Sequence, residues 1–339
     1  MIAGGLIQTE RRHLDELTQG MRVVTTEAAV FRVEGTGAAD CLQGLLTCDV
    51  VGPGIDSVTY GAMLTAKGMI TVDFLIFRDG GGFTLVTELG ARLAALDLFR
   101  RQLPPRFAKV IDRTDSSLAL WLLGHGSESV ARAAGLPWPD HPGRLATVPA
   151  DPGAVLLGRP PLAAPWAAVV IGSAEAVRAV AERMEQAGGE AGTSDDREAV
   201  RILGGWPALS REIDQKTLPQ EVRYDEIGGV SYTKGCYVGQ ETVARVHFRG
   251  HVNRLLRGLR WTGPAPSTPE ITHAGKPVGQ LTSGVQLERG GAGLGLIRRE
   301  VQPGSVVRIG ASEGVVVALP FDPPNGEAPD AGPGASSRQ

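Results

Sequence analysis

At 339 residues, with 42% hydrophobic and 21% charged residues, the chain is long enough for two or three domains, and its ordinary globular balance excludes an intrinsically disordered protein. A formal net charge of −3 excludes a phosphate-binding surface written into the overall composition, so no nucleic-acid partner is expected. Three cysteines, Cys41, Cys48 and Cys236, are too few for a disulfide scaffold and point to a reducing compartment. With no basic n-region before Arg11 and no apolar run of about 18 residues, the expectation is a cytoplasmic protein with no membrane partner.

Ala29 to Val33 reads as a short strand, followed by a helix carrying Ala39, Leu42, Leu45 and Leu46, with Thr36 as its expected N-cap. Ser57 to Leu64, Met69 to Phe77 and Phe83 to Thr87 are β-rich runs separated by Ala66-Lys67-Gly68 and Asp79-Gly80-Gly81-Gly82, the pattern of an antiparallel meander. Leu93, Leu96 and Phe99 then mark a helix that Pro104 and Pro105 end. Further strands are expected near Lys109 and at Leu118 to Leu123, with a short helix at Glu128 to Ala134.

The many prolines from Pro137 to Pro165 predict a loose connection between two halves. A strand at Val169 to Ile171 leads into a helix at Ala174 to Ala187, whose stripe is Val177, Val180 and Met184. Another helix, Asp195 to Leu203, should stop at Gly204-Gly205-Trp206-Pro207. Beyond Gly250, short β-rich runs alternate with Gly and Pro turns, as in a small barrel or sandwich. The expected class is α+β, with an α+β region over 1–250, a β domain over 251–322 and a disordered tail over 323–339.

The residues most suggestive of chemistry surround Cys236. Lys234 lies two positions before it, and Gly239 permits an unusual backbone three positions after it. Val243, Ala244 and Val246 support a helix beginning at Gln240. A lysine cation or a helix N-terminus beside the sulfur would favour the reactive thiolate. The plainer reading is a small buried side chain. Cys41 and Cys48 read as core residues, and no Cys-x-x-Cys or His-x-x-x-His predicts a stable metal. His125 reads as a turn residue, and Gly290-Gly291-Ala292-Gly293-Leu294-Gly295 as a flexible hairpin rather than a phosphate loop. Arg245, Arg249, Arg254, Arg257 and Arg260, with His247 and His251, form the densest basic stretch and read as a solvated face.

Lys234-Gly235-Cys236-Tyr237-Val238-Gly239-Gln240-Glu241, preceded by Ser231-Tyr232-Thr233, closely resembles the fingerprint of the YgfZ family, folate-binding relatives of the glycine-cleavage T-protein. The likeness extends over roughly residues 20–322, through Gly44-Leu45-Leu46-Thr47-Cys48-Asp49-Val50, Arg201-Ile202-Leu203-Gly204-Gly205-Trp206-Pro207, and Glu212, Asp214, Thr217, Pro219 and Glu221. Gly275 to Gly279, Thr282-Ser283-Gly284 and Pro320-Phe321 resemble landmarks of that family's closing β domain.

The resemblance implies ferredoxin-like α+β units around a central opening that binds tetrahydrofolate or a derivative, plus a C-terminal antiparallel β-barrel. It also implies assembly, maintenance or repair of iron–sulfur enzymes, with those enzymes or cluster-assembly proteins as transient partners. Cys236 and Lys234 would then carry the chemistry on a loop completed by Gly235, Tyr237, Gly239, Gln240 and Glu241. The T-protein's Gly-Tyr-Thr-Gly-Glu-Asp-Gly-type segment, whose glutamate contacts the pterin, has no counterpart here: no carboxylate lies between Trp166 and Ser173. A standard aminomethyltransferase is therefore not expected.

By the same resemblance Asp73 would lie near the folate's reactive nitrogens, against the alternative of a solvent-facing strand residue. Arg201 would pair with a folate glutamate carboxylate, and Arg197 would assist one turn away or form a surface ion pair with Asp196 or Glu198. Two other functions stay open at this point: a tetrahydrofolate-dependent one-carbon transferase, and a non-catalytic folate-binding module with an inert thiol.

Overall fold

Three sheets, the first two built from nearly continuous runs of buried side chains, organise the computed structural model, which describes residues 6–161 and 163–321. The expected tail at 323–339 lies outside the described residues. The first sheet is antiparallel throughout, in the order Ser57–Leu64, Ile70–Asp79, Gly82–Thr87, Ala29–Glu34 and Lys109–Asp112. Helices Ala38–Leu45 and Arg92–Gln102 pack on it. The second sheet has the order Glu190–Ala191, Arg22–Thr26, Ser117–Leu123, Ala168–Ser173, Ala154–Gly158 and Leu145–Pro149, backed by helix Ala174–Gln186 through Val177, Val180 and Met184.

In the third sheet, Lys276–Leu287, Glu270–His273, Val306–Ile309, Ser312–Val317, Arg254–Thr262 and Gly290–Arg298 pair in sequence. Gly290–Arg298 returns to Lys276–Leu287, closing a six-stranded antiparallel barrel. Leu259, Trp261, Ile271, Leu281, Ile297 and Val316 fill its centre. The fold is thus α+β with a C-terminal β-barrel.

Several local expectations need correction. The proline-rich stretch at 137–165 contains a paired hairpin, Leu145–Pro149 with Ala154–Gly158, because its prolines fall at strand ends and in the flanking loops. The Gly-rich run from Gly290 is a barrel strand: a Cβ on Gly291 would meet the Trp261 ring at 2.2 Å, so glycine serves close packing there. Gly37, not Thr36, caps helix Ala38–Leu45. Helix Arg92–Gln102 buries Ala95, Leu98 and Phe99, leaving Leu93 79% exposed, so its apolar face is rotated from the Leu93-Leu96-Phe99 stripe.

Helix Ser194–Leu203 starts with a Thr193–Asp196 capping box, and it touches both the second sheet and the barrel. From it, Arg201 reaches a buried junction. Its Nε and Nη2 donate to the two Glu198 carboxylate oxygens at 2.7 Å, and Nη1 donates to the Trp206 carbonyl at 2.5 Å and to Glu212 at 2.9 Å. Nη2 also donates to Ser283 of the barrel at 2.7 Å. Glu212, fully buried, accepts from Thr282, Ser283 and the Ala208 amide as well.

One guanidinium therefore ties a helix, a turn and a barrel strand together. Glu221 and Arg254 add a second tie at 2.8 Å. Removing one partner of a buried ion pair strands the other charge in low dielectric. Glu212→Gln should lower unfolding stability by about 3–5 kcal/mol in urea titrations, with the barrel losing amide-exchange protection first.

Candidate functional site

Where the first two sheets meet, a cavity of about 330 Å³ opens between Asp73, Glu88, Trp121, Trp166, Arg197 and Trp206, with Tyr60 and Thr26 also on its wall. The wall draws on several elements and loops. Asp73 projects from strand Ile70–Asp79, Tyr60 from Ser57–Leu64, Trp121 from Ser117–Leu123 and Arg197 from the bridging helix.

The rings form a chain: Trp121 to Trp166 at 4.8 Å, Trp166 to Trp206 at 5.3 Å, and Trp206 to Tyr60 at 4.6 Å between centroids. Arg197 lies over Trp121, its Cζ 4.0 Å from the ring centre. Its Nε and the indole Nε1 of Trp166 are buried without a hydrogen-bond partner. Buried unpaired donors are costly in a folded protein, and in a cavity wall they are available to an acceptor on a ligand.

The two carboxyl groups of the cavity are both displaced upward. Burial pushes Asp73 to about 6, even though the Tyr60 hydroxyl donates to it at 2.6 Å. The Tyr224 hydroxyl lies 3.4 Å from the same oxygen and 3.0 Å from that of Tyr60. Glu88 keeps solvent contact, yet desolvation and then the Asp73 charge raise it to about 7. Desolvation also lowers the Arg197 guanidinium below its ordinary value, with Glu88 the largest opposing charge. Near neutral pH the cavity thus holds carboxyls able to give or take a proton.

Arg201 borders the cavity, but all five of its N–H donors are taken by Glu198, Trp206, Glu212 and Ser283, which leaves none for a ligand carboxylate. Arg197, expected either to assist at the folate or to pair on the surface with Asp196 or Glu198, lines the cavity, while Glu198 belongs to Arg201. Asp73 is 8% exposed and lines the cavity, so it is not a solvent-facing strand residue. Tyr60, Glu88, Trp121 and Trp166 carried no local sequence signal, because their neighbourhood arises only when the two sheets meet.

The thiol loop is built elsewhere. Gly239 has φ 83° and leads into helix Gln240–Arg249, whose first turn holds Gln240 and Glu241, so the expected helix start is present. The Gly239 backbone packs on the Ala66-Lys67-Gly68 turn: a Cβ there would strike the Thr65 carbonyl at 2.6 Å and the Gly68 Cα at 3.1 Å. Cys236 and Gly235 are exposed, Tyr237 is buried beneath them, and Cys236 is not among the residues lining the cavity.

Lys234 does not point its charge at the sulfur. Its ammonium donates to the carbonyls of Gln43 and Leu46 at 2.5 Å and of Cys48 at 2.9 Å, closing the C-terminal end of helix Ala38–Leu45. Desolvation lowers its pKa to about 8. Lys234 is thus a clamp on the loop's position. Cys48 is buried and its thiol pushed to about 11 by desolvation, while Cys41 is half-buried against the core.

Residues 19–135 match the GCVT N-terminal domain family. A protein of Vibrio atlanticus (strain LGP32) named tRNA-modifying protein YgfZ is 28% identical over 256 residues, covering 74% of this chain and 72% of the relative. One of the same name from Escherichia coli O6:K15:H31 (strain 536 / UPEC) is 27% identical over 290 residues, covering 83% and 86%. The chain is thus similar over most of its length to proteins named YgfZ, and its N-terminal third matches the GCVT domain. Its fold agrees with the crystal structure of glycine cleavage system aminomethyltransferase T from Bartonella henselae, with a TM-score of 0.77 at 19% identity over 92% of this chain and 89% of that one. Among the described residues, no helix is long and apolar enough to cross a membrane.

The Asp73 carboxyl has a testable linkage to stability. Its folded pKa of about 6 exceeds the ordinary 3.8, so stability should fall as pH rises from about 4 through 6. A shift of roughly 2 units corresponds to about 3 kcal/mol. Urea titrations at pH 4 and pH 7 should show Asp73→Asn gaining stability relative to the parent by about 2–3 kcal/mol between those two pH values. A constant difference would mean that Asp73 ionises normally.

Proposed function

We propose that this chain binds tetrahydrofolate or a derivative in the Asp73–Arg197 cavity and acts, through Cys236, as an accessory protein for the assembly, maintenance or repair of iron–sulfur enzymes. The observation that carries the folate half is the pair of unpartnered donors, Arg197 Nε and Trp166 Nε1, in an aromatic cavity that also holds Asp73 and Glu88. Reduced folates combine a flat ring rich in N–H donors and acceptors with an anionic glutamyl end. Trp121, Trp166, Trp206 and Tyr60 would hold such a ring, Asp73 and Glu88 would accept from its N–H groups, and Arg197 would donate to an acceptor or anionic group. When bound, tetrahydrofolate supplies nitrogens that carry one-carbon units.

The thiol half rests on an exposed sulfur held at a fixed place by the Lys234 clamp and the Gly68–Gly239 contact. Exposure suits a thiol that meets other proteins, as transient iron–sulfur partners would require. The YgfZ name borne by the relatives includes tRNA modification, which we take as one process that such partners would serve, in the cytoplasm. Asp73 on the cavity wall favours a second reading, one-carbon transfer with this carboxyl as proton acceptor. Formation of methylenetetrahydrofolate from an S-aminomethyl donor, with the thiol and ammonia released, would be its signature.

Isothermal titration of the full chain with tetrahydrofolate should give one site, and Arg197→Met should weaken it at least tenfold without lowering the melting temperature. In the native host, Cys236→Ala should reduce iron–sulfur enzyme activities to the level of a deletion strain. Unchanged activities would remove the thiol from the proposal, and absent binding would remove the folate.

A further inference from the structure

The cavity and the thiol loop are separate sites, connected by the packing behind Asp73 and Tyr60. Tyr224 is fully buried, and its hydroxyl joins Tyr60 on the Asp73 carboxylate. It also begins the irregular segment that runs to Gly239 and carries Cys236. Gly229 of this segment lies flat on the tyrosine: a Cβ there would sit 2.5 Å from the ring, and its amide donates to the Tyr224 carbonyl at 2.8 Å.

From Gly229 the contacts continue toward the thiol. The Thr47 hydroxyl donates to the Gly229 carbonyl at 2.5 Å, and the Ser231 amide donates to the Thr47 carbonyl at 2.9 Å. Thr47 is itself fixed to Ala62, which lies two residues along the strand from Tyr60, by two hydrogen bonds of 2.8 and 2.9 Å. The Lys234 amide donates to the Ser231 hydroxyl at 3.3 Å, and its ammonium rests on the helix end beside Thr47. Every step from Asp73 to the residue two places before Cys236 is a hydrogen bond or a packed ring.

We propose that occupancy of the cavity controls the exposure and reactivity of Cys236 through the Asp73–Tyr224–Gly229–Thr47 contact. This rests on the reading of the cavity as a reduced-folate site. Asp73 Oδ2 accepts from Tyr60 and stands within reach of Tyr224, so a ligand donor arriving at this oxygen competes with both hydroxyls. Tyr224 cannot shift its ring without moving Gly229, because there is no side chain between them to absorb the motion. Gly229 and Ser231 are both bonded to Thr47, so the displacement passes to the segment that Lys234 clamps. By linkage the effect is reciprocal: whatever factor the ligand imposes on the loop equilibrium, a change fixed on the loop must impose on ligand affinity.

The test measures iodoacetamide labelling of Cys236 in the full chain, read on the Cys236 peptide by mass spectrometry so that Cys41 does not contribute. Rates are taken with and without saturating tetrahydrofolate, with binding followed in parallel by tryptophan fluorescence. A change in rate of at least threefold is expected in the parent protein, and none in Tyr224→Phe, which keeps the ring and loses the hydroxyl. Asp73→Asn should alter the ligand-free rate, an arm that needs no ligand.

Alkylated protein should bind tetrahydrofolate with a changed affinity. Should Tyr224→Phe fail to fold, the Asp73→Asn rate and this reciprocal affinity decide the matter. Binding without any change in the parent's labelling rate overturns the coupling and leaves the folate reading standing. No binding, together with an unchanged rate in Asp73→Asn, overturns both.

Discussion

The buried Arg201–Glu212 pair is the constraint on which the arrangement of this molecule depends. A guanidinium and a carboxylate removed from water are tolerable only when every donor and acceptor is met. Here Glu198, the Trp206 carbonyl, Thr282, Ser283 and the Ala208 amide meet them. Because these partners come from the bridging helix, the turn after it and the barrel, satisfying one charge fixes the relative placement of all three. The turn so fixed carries Trp206, which closes the ring chain of the cavity. The same helix presents Arg197 four residues earlier, on the neighbouring turn and with a free donor. Structural and ligand-facing arginines thus divide the work of one helix.

The second consequence concerns charge. Asp73 is buried and Glu88 lies beside its charge, and both carboxyls are displaced toward neutrality. A cavity of this kind favours a ligand that brings its own N–H donors. The thiol loop uses opposite means: an exposed sulfur, a buried ammonium spent on three carbonyls, and a left-handed glycine seated on another. Rigidity comes from Lys234 and Gly239, while the sulfur itself stays in solvent.

The meander, the helices at Ala174–Gln186 and Ser194–Leu203, and the final all-β region were legible because period, caps and Gly–Pro stops are local signals. The hairpin at Leu145–Gly158 was not, since prolines mark strand ends as readily as loops. Glycines at Gly291, Gly293 and Gly295 look like a flexible turn until a tryptophan and neighbouring backbone are seen against them. The thiol loop was readable as a motif, but the target of its lysine was not: Gln43, Leu46 and Cys48 lie nearly two hundred residues away. For the same reason the sequence does not separate the roles of Arg197 and Arg201, because only the tertiary structure shows which guanidinium is already fully bonded. Trp121, Trp166 and Trp206 are separated by tens of residues, and no spacing rule brings them together.

A structure of the full chain crystallised with tetrahydrofolate examines the cavity most directly. The expected result is the pterin ring among Trp121, Trp166 and Trp206, with an N–H donating to Asp73 or Glu88 and an acceptor within hydrogen-bond reach of Arg197. A ligand seated elsewhere, or a cavity that stays empty at saturating ligand, would contradict the assignment.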